Sequence, residues 1–138
     1  MKGLHVLVVD DSALMRGLLC EAIRASGVPI GDVLDARDGG EALEILKDRH
    51  VDVVVTDLQM PKVDGFALVE RITLRPSLAH IRIVTMTAEM SREQSLRAAA
   101  MKVHARLNKP IRFDTIQALL AQIWQLEDDA RKKRALKP

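Results

Sequence analysis

Short apolar runs alternate with segments of helical period along the chain. Leu4–Val9 reads as a buried strand. Ser12–Ala25 follows, with Leu14, Leu18 and Ile23 at helical spacing, and Gly27-Val-Pro29 ends it. Val33–Ala36 is a weaker strand. Asp38 with Glu41 makes a capping-box pattern that opens a helix over Ala42–Asp48. Val51–Thr56, rich in valine, is the clearest strand. Pro61 and Gly65 punctuate a loop, and Asp64 is placed to cap a helix over Gly65–Leu74 that stops before Pro76. Ile81–Thr87 is the fourth strand. Ser91 with Gln94 is a second capping box and opens Arg92–Met101. Val103–Leu107 is a short fifth strand. Asp114 with Gln117 suits a third capping box, ahead of an apolar stripe of Ile116, Leu119, Leu120, Ile123 and Trp124. Five strand–helix units in series predict an α/β fold, a parallel sheet with helices on both faces. Five strands fit the flavodoxin-like order 2-1-3-4-5.

Length and composition narrow this picture. The chain has 138 residues, enough for one domain that buries about two-thirds of its unfolded surface. The organisation expected is a domain over residues 1–127 and a basic tail over 128–138 that is disordered or extends the last helix. Aromatics are scarce, so the core must be aliphatic. The single cysteine, Cys20, cannot form an internal disulfide, which favours a reducing compartment. The first apolar run is too short for a signal peptide, and no stretch approaches 18 consecutive apolar residues. A cytoplasmic protein without membrane insertion is expected. The net charge of +2 conceals an asymmetry: residues 129–138 hold five basic residues against Asp129, a net +4, leaving −2 on the rest. The run Arg131-Lys-Lys-Arg134 has no interleaved aromatics, so nucleic-acid recognition is not expected. Four scattered histidines and one cysteine show no zinc spacing.

The candidate chemistry sits where strands stop. Asp10 and Asp11 end the first apolar run, Asp57 ends the third, and Lys109 precedes a proline after the fifth. In an open parallel sheet such strand ends share one edge, where ligands bind. Magnesium takes oxygen ligands and is held by one or two carboxylates plus phosphate oxygens. Asp10, Asp11 and Asp57 supply such carboxylates, and a carboxylate is also a nucleophile toward phosphorus. Phosphoryl transfer needs cations that neutralise the equatorial oxygens, a role for Lys109 and Mg²⁺. Thr87, at the end of the fourth strand, is placed to hydrogen-bond an arriving phosphoryl oxygen. Each of these residues also has a plain reading. The acidic pair caps a helix, Lys109-Pro110 makes a turn, and Thr87 is a strand former.

The pattern Asp10-Asp11-Ser12, Asp57-Leu-Gln-Met60-Pro61-Lys-Val-Asp64-Gly65, Thr87-Ala88 and Lys109-Pro110 resembles the receiver domain of bacterial two-component response regulators. The resemblance covers residues 4 to about 126. It implies that Asp57 accepts phosphate from a phosphohistidine on a sensor histidine kinase or phosphotransfer protein. It implies that Asp11, Asp57 and the backbone carbonyl of Gln59 hold Mg²⁺, with Asp10 acting through water. Thr87 and Lys109 complete the phosphate site. No output domain follows, so the chain is similar to single-domain, CheY-like members, which dock to a partner protein. Such a switch catalyses only its own phosphorylation and dephosphorylation.

Two positions depart from the family pattern. Receivers usually carry Tyr or Phe three residues before the lysine, and here that position is Arg106. An always-charged guanidinium cannot bury as a ring does. It stays exposed or pairs with a carboxylate such as Glu89 or Glu93. Lys102 stands where many members have Gly. Arg106, Lys102 and His104 are expected to fit the face of helix 4, strand 5 and helix 5 to an acidic partner. Gln59 and Glu89 occupy positions that tune phosphate lifetime in the family. Three rivals stay open: a phosphorylation-independent adaptor or phosphate sink, a receiver fragment of a larger regulator, and a phosphatase with an aspartyl nucleophile. Against the last, Asp57-Leu-Gln59 lacks a second carboxylate to act as general acid.

Overall fold

The computed structural model describes residues 3–60 and 64–136. Pro61, part of the loop and motif named above, lies outside them. Five strands and five helices alternate: β1 (Leu4–Val9), α1 (Ala13–Arg24), β2 (Ile30–Ala36), α2 (Gly39–Asp48), β3 (Val53–Asp57), α3 (Gly65–Leu74), β4 (Arg82–Thr87), α4 (Arg92–Ala99), β5 (Ala105–Asn108) and α5 (Phe113–Ala135). A short 3-10 turn, Pro76–Leu78, joins α3 to β4. All strand pairs are parallel and the sheet order is β2-β1-β3-β4-β5. The expected α/β fold and strand order are both found.

Alternation along the strands divides the core between two faces. Leu7, Val9 and Val54 point to one side, where they meet Leu43 and Leu46 of α2, Phe66 and Val69 of α3, and Ala98 of α4. Val6, Val8, Val53 and Val55 point to the other, against Leu19 and Ile23 of α1 and Ile116, Leu120 and Ile123 of α5. A strand covered on both faces reads as a continuous apolar run, which is why β1 and β3 are so plain in the sequence.

Several boundaries move. β2 starts at Ile30 rather than Val33, because pairing with β1 carries Gly31 and Asp32 into the sheet despite their turn-forming character. β3 starts at Val53 and β5 runs to Asn108. α4 ends at Ala99, short of Met101. The Asp114–Gln117 capping box does not form. Arg112 occupies the cap position without a side-chain bond, and Asp114 lies in the first turn, paired with Arg112 at 2.9 Å. Asp38 accepts from the Glu41 amide, the cap half of the expected box, while the Glu41 carboxylate pairs with Arg37 at 3.2 Å. Asp64 accepts from the Ala67 amide, and Ser91 with Gln94 bonds reciprocally.

α5 continues as one helix to Ala135, about 34 Å at 1.5 Å per residue. Asp128 pairs with Arg131 and Lys132 one turn on, and the Arg131 guanidinium lies 4.8 Å from the Trp124 ring centroid. Arg82 at the start of β4 reaches Glu127 at 3.1 Å. Lys132, Lys133 and Arg134 fill the last turn, where positive charge complements the helix dipole. No helix of the described residues is long and apolar enough to cross a membrane.

Candidate functional site

The carboxyl ends of β1, β3 and β5 bring four charged groups together. Asp10 follows β1, Asp57 ends β3, and Lys109 follows β5. Parallel register carries the chain ends to one edge, since Val9 pairs with Thr56 and Asp57 with Met86. Carboxylate oxygens of Asp10, Asp11 and Asp57 lie within 4.8 Å of one another. Asp10 and Asp57 are buried and Asp11 is exposed. Lys109 Nζ donates to Asp57 Oδ2 at 2.9 Å and sits 3.6 Å from Asp10 Oδ2.

Local chemistry fixes the two buried carboxylates. Asp10 Oδ1 accepts from the Ser12 amide at 2.9 Å, and Asp57 Oδ1 accepts from the Gln59 amide at 2.9 Å. Helix capping falls to Ser12, whose hydroxyl accepts from the Met15 amide, so the acidic pair is not spent on the cap. Arg16 Nη1 donates to the Asp10 carbonyl at 2.8 Å while its Nε holds Asp35 of β2, bracing the β1–α1 turn. At Gly65 a Cβ would stand 2.0 Å from the Asp57 carbonyl oxygen. The N-terminus of α3 therefore rests on the end of β3 only because that position has no side chain.

The electrostatics favour a cation. Burial is the largest influence on Asp10 and, with the neighbouring charges of Asp57 and Asp11, raises its pKa against the pull of Ser12 and Lys109. Among the described residues, Asp10 Oδ2 is buried without a hydrogen-bond partner. An orphaned buried carboxylate oxygen facing two more carboxylates fits a hard, oxygen-seeking divalent ion such as Mg²⁺. Burial works to lower the Lys109 pKa, but its hydrogen bond to Asp57 and the charges of Asp57 and Asp10 outweigh it. The net shift is upward, so Lys109 stays charged.

Thr87 is buried at the end of β4, and its hydroxyl donates to Asn108 Oδ1 at 3.4 Å rather than to the acidic cluster. The Lys109 amide, just past β5, donates to the Thr87 carbonyl at 2.6 Å. Gln59 also makes side-chain contacts across the site. Its side-chain amide donates to the Glu89 carbonyl at 2.9 Å and accepts from the Ala88 amide at 3.0 Å. One side chain thus ties the β3–α3 loop to the β4–α4 loop. Asn108 and Arg16 were not legible as site residues, and the loop-to-loop bonds of the Gln59 side chain were not either, since each joins segments that only the fold brings together.

Arg106 does not pair with Glu89 or Glu93. Its Nη2 donates to the Met101 carbonyl at 2.7 Å and reaches the Ala98 carbonyl at 3.5 Å. The guanidinium caps the C-terminal end of α4, where orphan carbonyls and the negative end of the helix dipole attract it. His104 turns the other way, bonding Gln122 of α5 at 2.9 Å. Lys102 is exposed between α4 and β5. Arg106 in β5 thus reaches α4, while His104, just before the strand, reaches α5.

Comparison with known proteins places the chain in a family. The model of the response regulator receiver domain matches residues 6–121. The chain is 34% identical over 124 residues to the chemotaxis protein CheY-3 of Vibrio cholerae serotype O1, covering 90% of this chain and 94% of that one. It is 32% identical over 115 residues to the sensor histidine kinase RcsC of Escherichia coli K12, covering 83% of this chain but 12% of that much longer protein. The structure of Vibrio cholerae chemotaxis protein CheY4 superposes with a TM-score of 0.76 at 28% identity, covering 88% of this chain and 98% of that one. With the carboxylate cluster, the lysine and the five-stranded sheet in place, the chain belongs to the receiver-domain family of two-component signalling and is CheY-like within it.

Proposed function

We propose that Asp57 is the phosphoryl acceptor of a signalling switch fed by a sensor histidine kinase or phosphotransfer protein. The observation that carries this reading is Lys109 Nζ at 2.9 Å from Asp57 Oδ2, beside two further carboxylates at the sheet edge. Asp10, Asp11, Asp57 and the Gln59 carbonyl hold Mg²⁺, which when bound neutralises phosphoryl oxygens during transfer. A carboxylate oxygen of Asp57 attacks phosphorus, the P–N bond to the donor imidazole breaks, and its electron pair leaves with the imidazole. Lys109 moves its contact from the carboxylate to a phosphoryl oxygen. Thr87 exchanges Asn108 for another. The added charge of about −1.5 to −2 draws both toward Asp57.

The readout lies on α4, β5 and α5, and the occupant is a downstream protein. Coupling of about 1–3 kcal/mol between phosphate and that face changes partner affinity 5- to 150-fold. Lys102 and His104 offer contacts there, while Arg106 sets the position of α4. The protein works in the cytoplasm.

A second reading has its own observation. Arg106 is already engaged with α4, so the ring rotation implied by the family's usual aromatic has no counterpart here. If α4 stays pinned, the protein is a phosphorylation-independent adaptor or a phosphate sink. Intact mass after incubation with a small phosphodonor, with and without Mg²⁺, tests acceptance of phosphate. A Mg²⁺-dependent phosphate adduct absent from Asp57→Asn is expected, and no adduct under any condition leaves only the adaptor. Partner affinity that ignores the adduct separates sink from switch.

A further inference from the structure

Sheet order sets Thr87 between two neighbours of different chemistry. β4 lies between β3 and β5, with Met86 paired to Asp57 on one side and Thr87 paired to Asn108 on the other. Neighbouring strands run about 4.8 Å apart, so a short side chain at the end of β4 is within reach of both. The Thr87 hydroxyl takes the β5 side, donating to Asn108 Oδ1 at 3.4 Å. Such bonds are commonly about 2.5–3.0 Å long, so this one is a weak hold that a better acceptor can displace.

The backbone around Thr87 is tied on both sides. Its carbonyl accepts from the Lys109 amide at 2.6 Å, and the following amide, Ala88, donates to Gln59 Oε1 at 3.0 Å. With the main chain held, the hydroxyl changes partner by turning about χ1 between staggered positions. A threonine hydroxyl has one hydrogen to donate. Asn108 Oδ1 and a phosphoryl oxygen on Asp57 therefore compete for it, and one bond breaks before the other forms. Thr87 is buried, and a buried hydroxyl needs a partner. Asn108 is itself exposed, so what it adds is this contact and not core packing.

We infer, on the reading that Asp57 is the phosphoryl acceptor, that Asn108 is a positioning residue that holds Thr87 off the phosphate site and raises the threshold for switching. While Asp57 is unmodified, the Asn108 amide oxygen satisfies the hydroxyl. Once Asp57 carries phosphate, charged oxygens are the stronger acceptors and the hydroxyl turns to them. The lost Asn108 bond is subtracted from that gain, so a chain without it has more of the competent state to begin with.

The test is binding of beryllofluoride, a stable mimic of a phosphoryl group on a carboxylate, to the whole chain in saturating Mg²⁺, read by fluorine resonance. Asn108→Val suits a strand but offers no acceptor, and it should bind the mimic about two- to fivefold more tightly than the native chain. Asn108→Ala should show the same gain, which separates loss of the acceptor from a change of shape. Thr87→Val removes the donor, and in that background Asn108→Val should change nothing. Equal or weaker affinity in both Asn108 variants, or a gain that persists without the Thr87 hydroxyl, would overturn the latch and leave Asp57 as acceptor. Failure of the native chain to bind the mimic, or equal binding by Asp57→Asn, would remove the acceptor reading and the latch with it.

Discussion

At the residue scale the site stores unfavourable charge. Asp10 has a raised pKa because burial disfavours its ionised form. A carboxyl titrating higher in the folded state than in the unfolded chain binds more protons when folded. Stability therefore falls as pH rises from the ordinary carboxylate range through the raised folded value, and the penalty is fully present above it. Replacing Asp10 with Asn removes that penalty. Without divalent ions, Asp10→Asn should stabilise the protein by roughly 0.5–2 kcal/mol at neutral pH, read by thermal unfolding. It should also lose most of the rise in melting temperature that Mg²⁺ gives the native chain. A destabilised variant would mean that the Lys109 contact outweighs the burial. Gln59 makes a second residue-scale prediction. Gln59→Ala removes the acceptor of the Ala88 amide, a bond worth ~1 kcal/mol, so that amide should exchange about fivefold faster. Unchanged exchange would show that the loop is held by other means.

At the scale of elements, two contacts decide how the sheet edge and its helices communicate. α3 rests on the Asp57 carbonyl through Gly65, with no room for a methyl group. Gly65→Ala should cost about 1–3 kcal/mol in urea unfolding, because either α3 or the end of β3 must shift. Unaltered stability would show that α3 docks with more freedom than the contact implies. Arg106 ties β5 to the end of α4. Arg106→Ala should speed amide exchange across the last turn of α4 and leave α5 unchanged. Equal exchange in both proteins would remove Arg106 as the anchor. The sequence made β1 and β3 plain, since strands buried on both faces read as near-continuous apolar runs. It hid the start of β2, where Gly31 and Asp32 read as turn residues until β1 pairs with them. The Asp114 capping box failed because α5 begins earlier, at Phe113, and Asp114 turned to Arg112 instead.

At the scale of the molecule, the fold converts distant residues into two edges. Asp10, Asp57 and Lys109 were legible because each sits where a recognisable strand stops, and parallel topology assembles such ends by rule. A histidine cluster at the other edge was not. His5, His50 and His80 lie on three separate segments, and only the sheet order brings them together. Arg106's partners were equally hidden, being backbone carbonyls that no side-chain pattern encodes.

Of the three carboxylates, Asp57 is the one proposed to take the phosphate. Asp10 and Asp11 are neighbouring carboxylates, yet only Asp57 has the lysine at hydrogen-bond length. Phosphorylating the protein in Mg²⁺, trapping the acyl phosphate by borohydride reduction and mapping the peptides identifies the acceptor directly. The account predicts the reduced residue at position 57 alone. Reduction at Asp10 or Asp11 would contradict it.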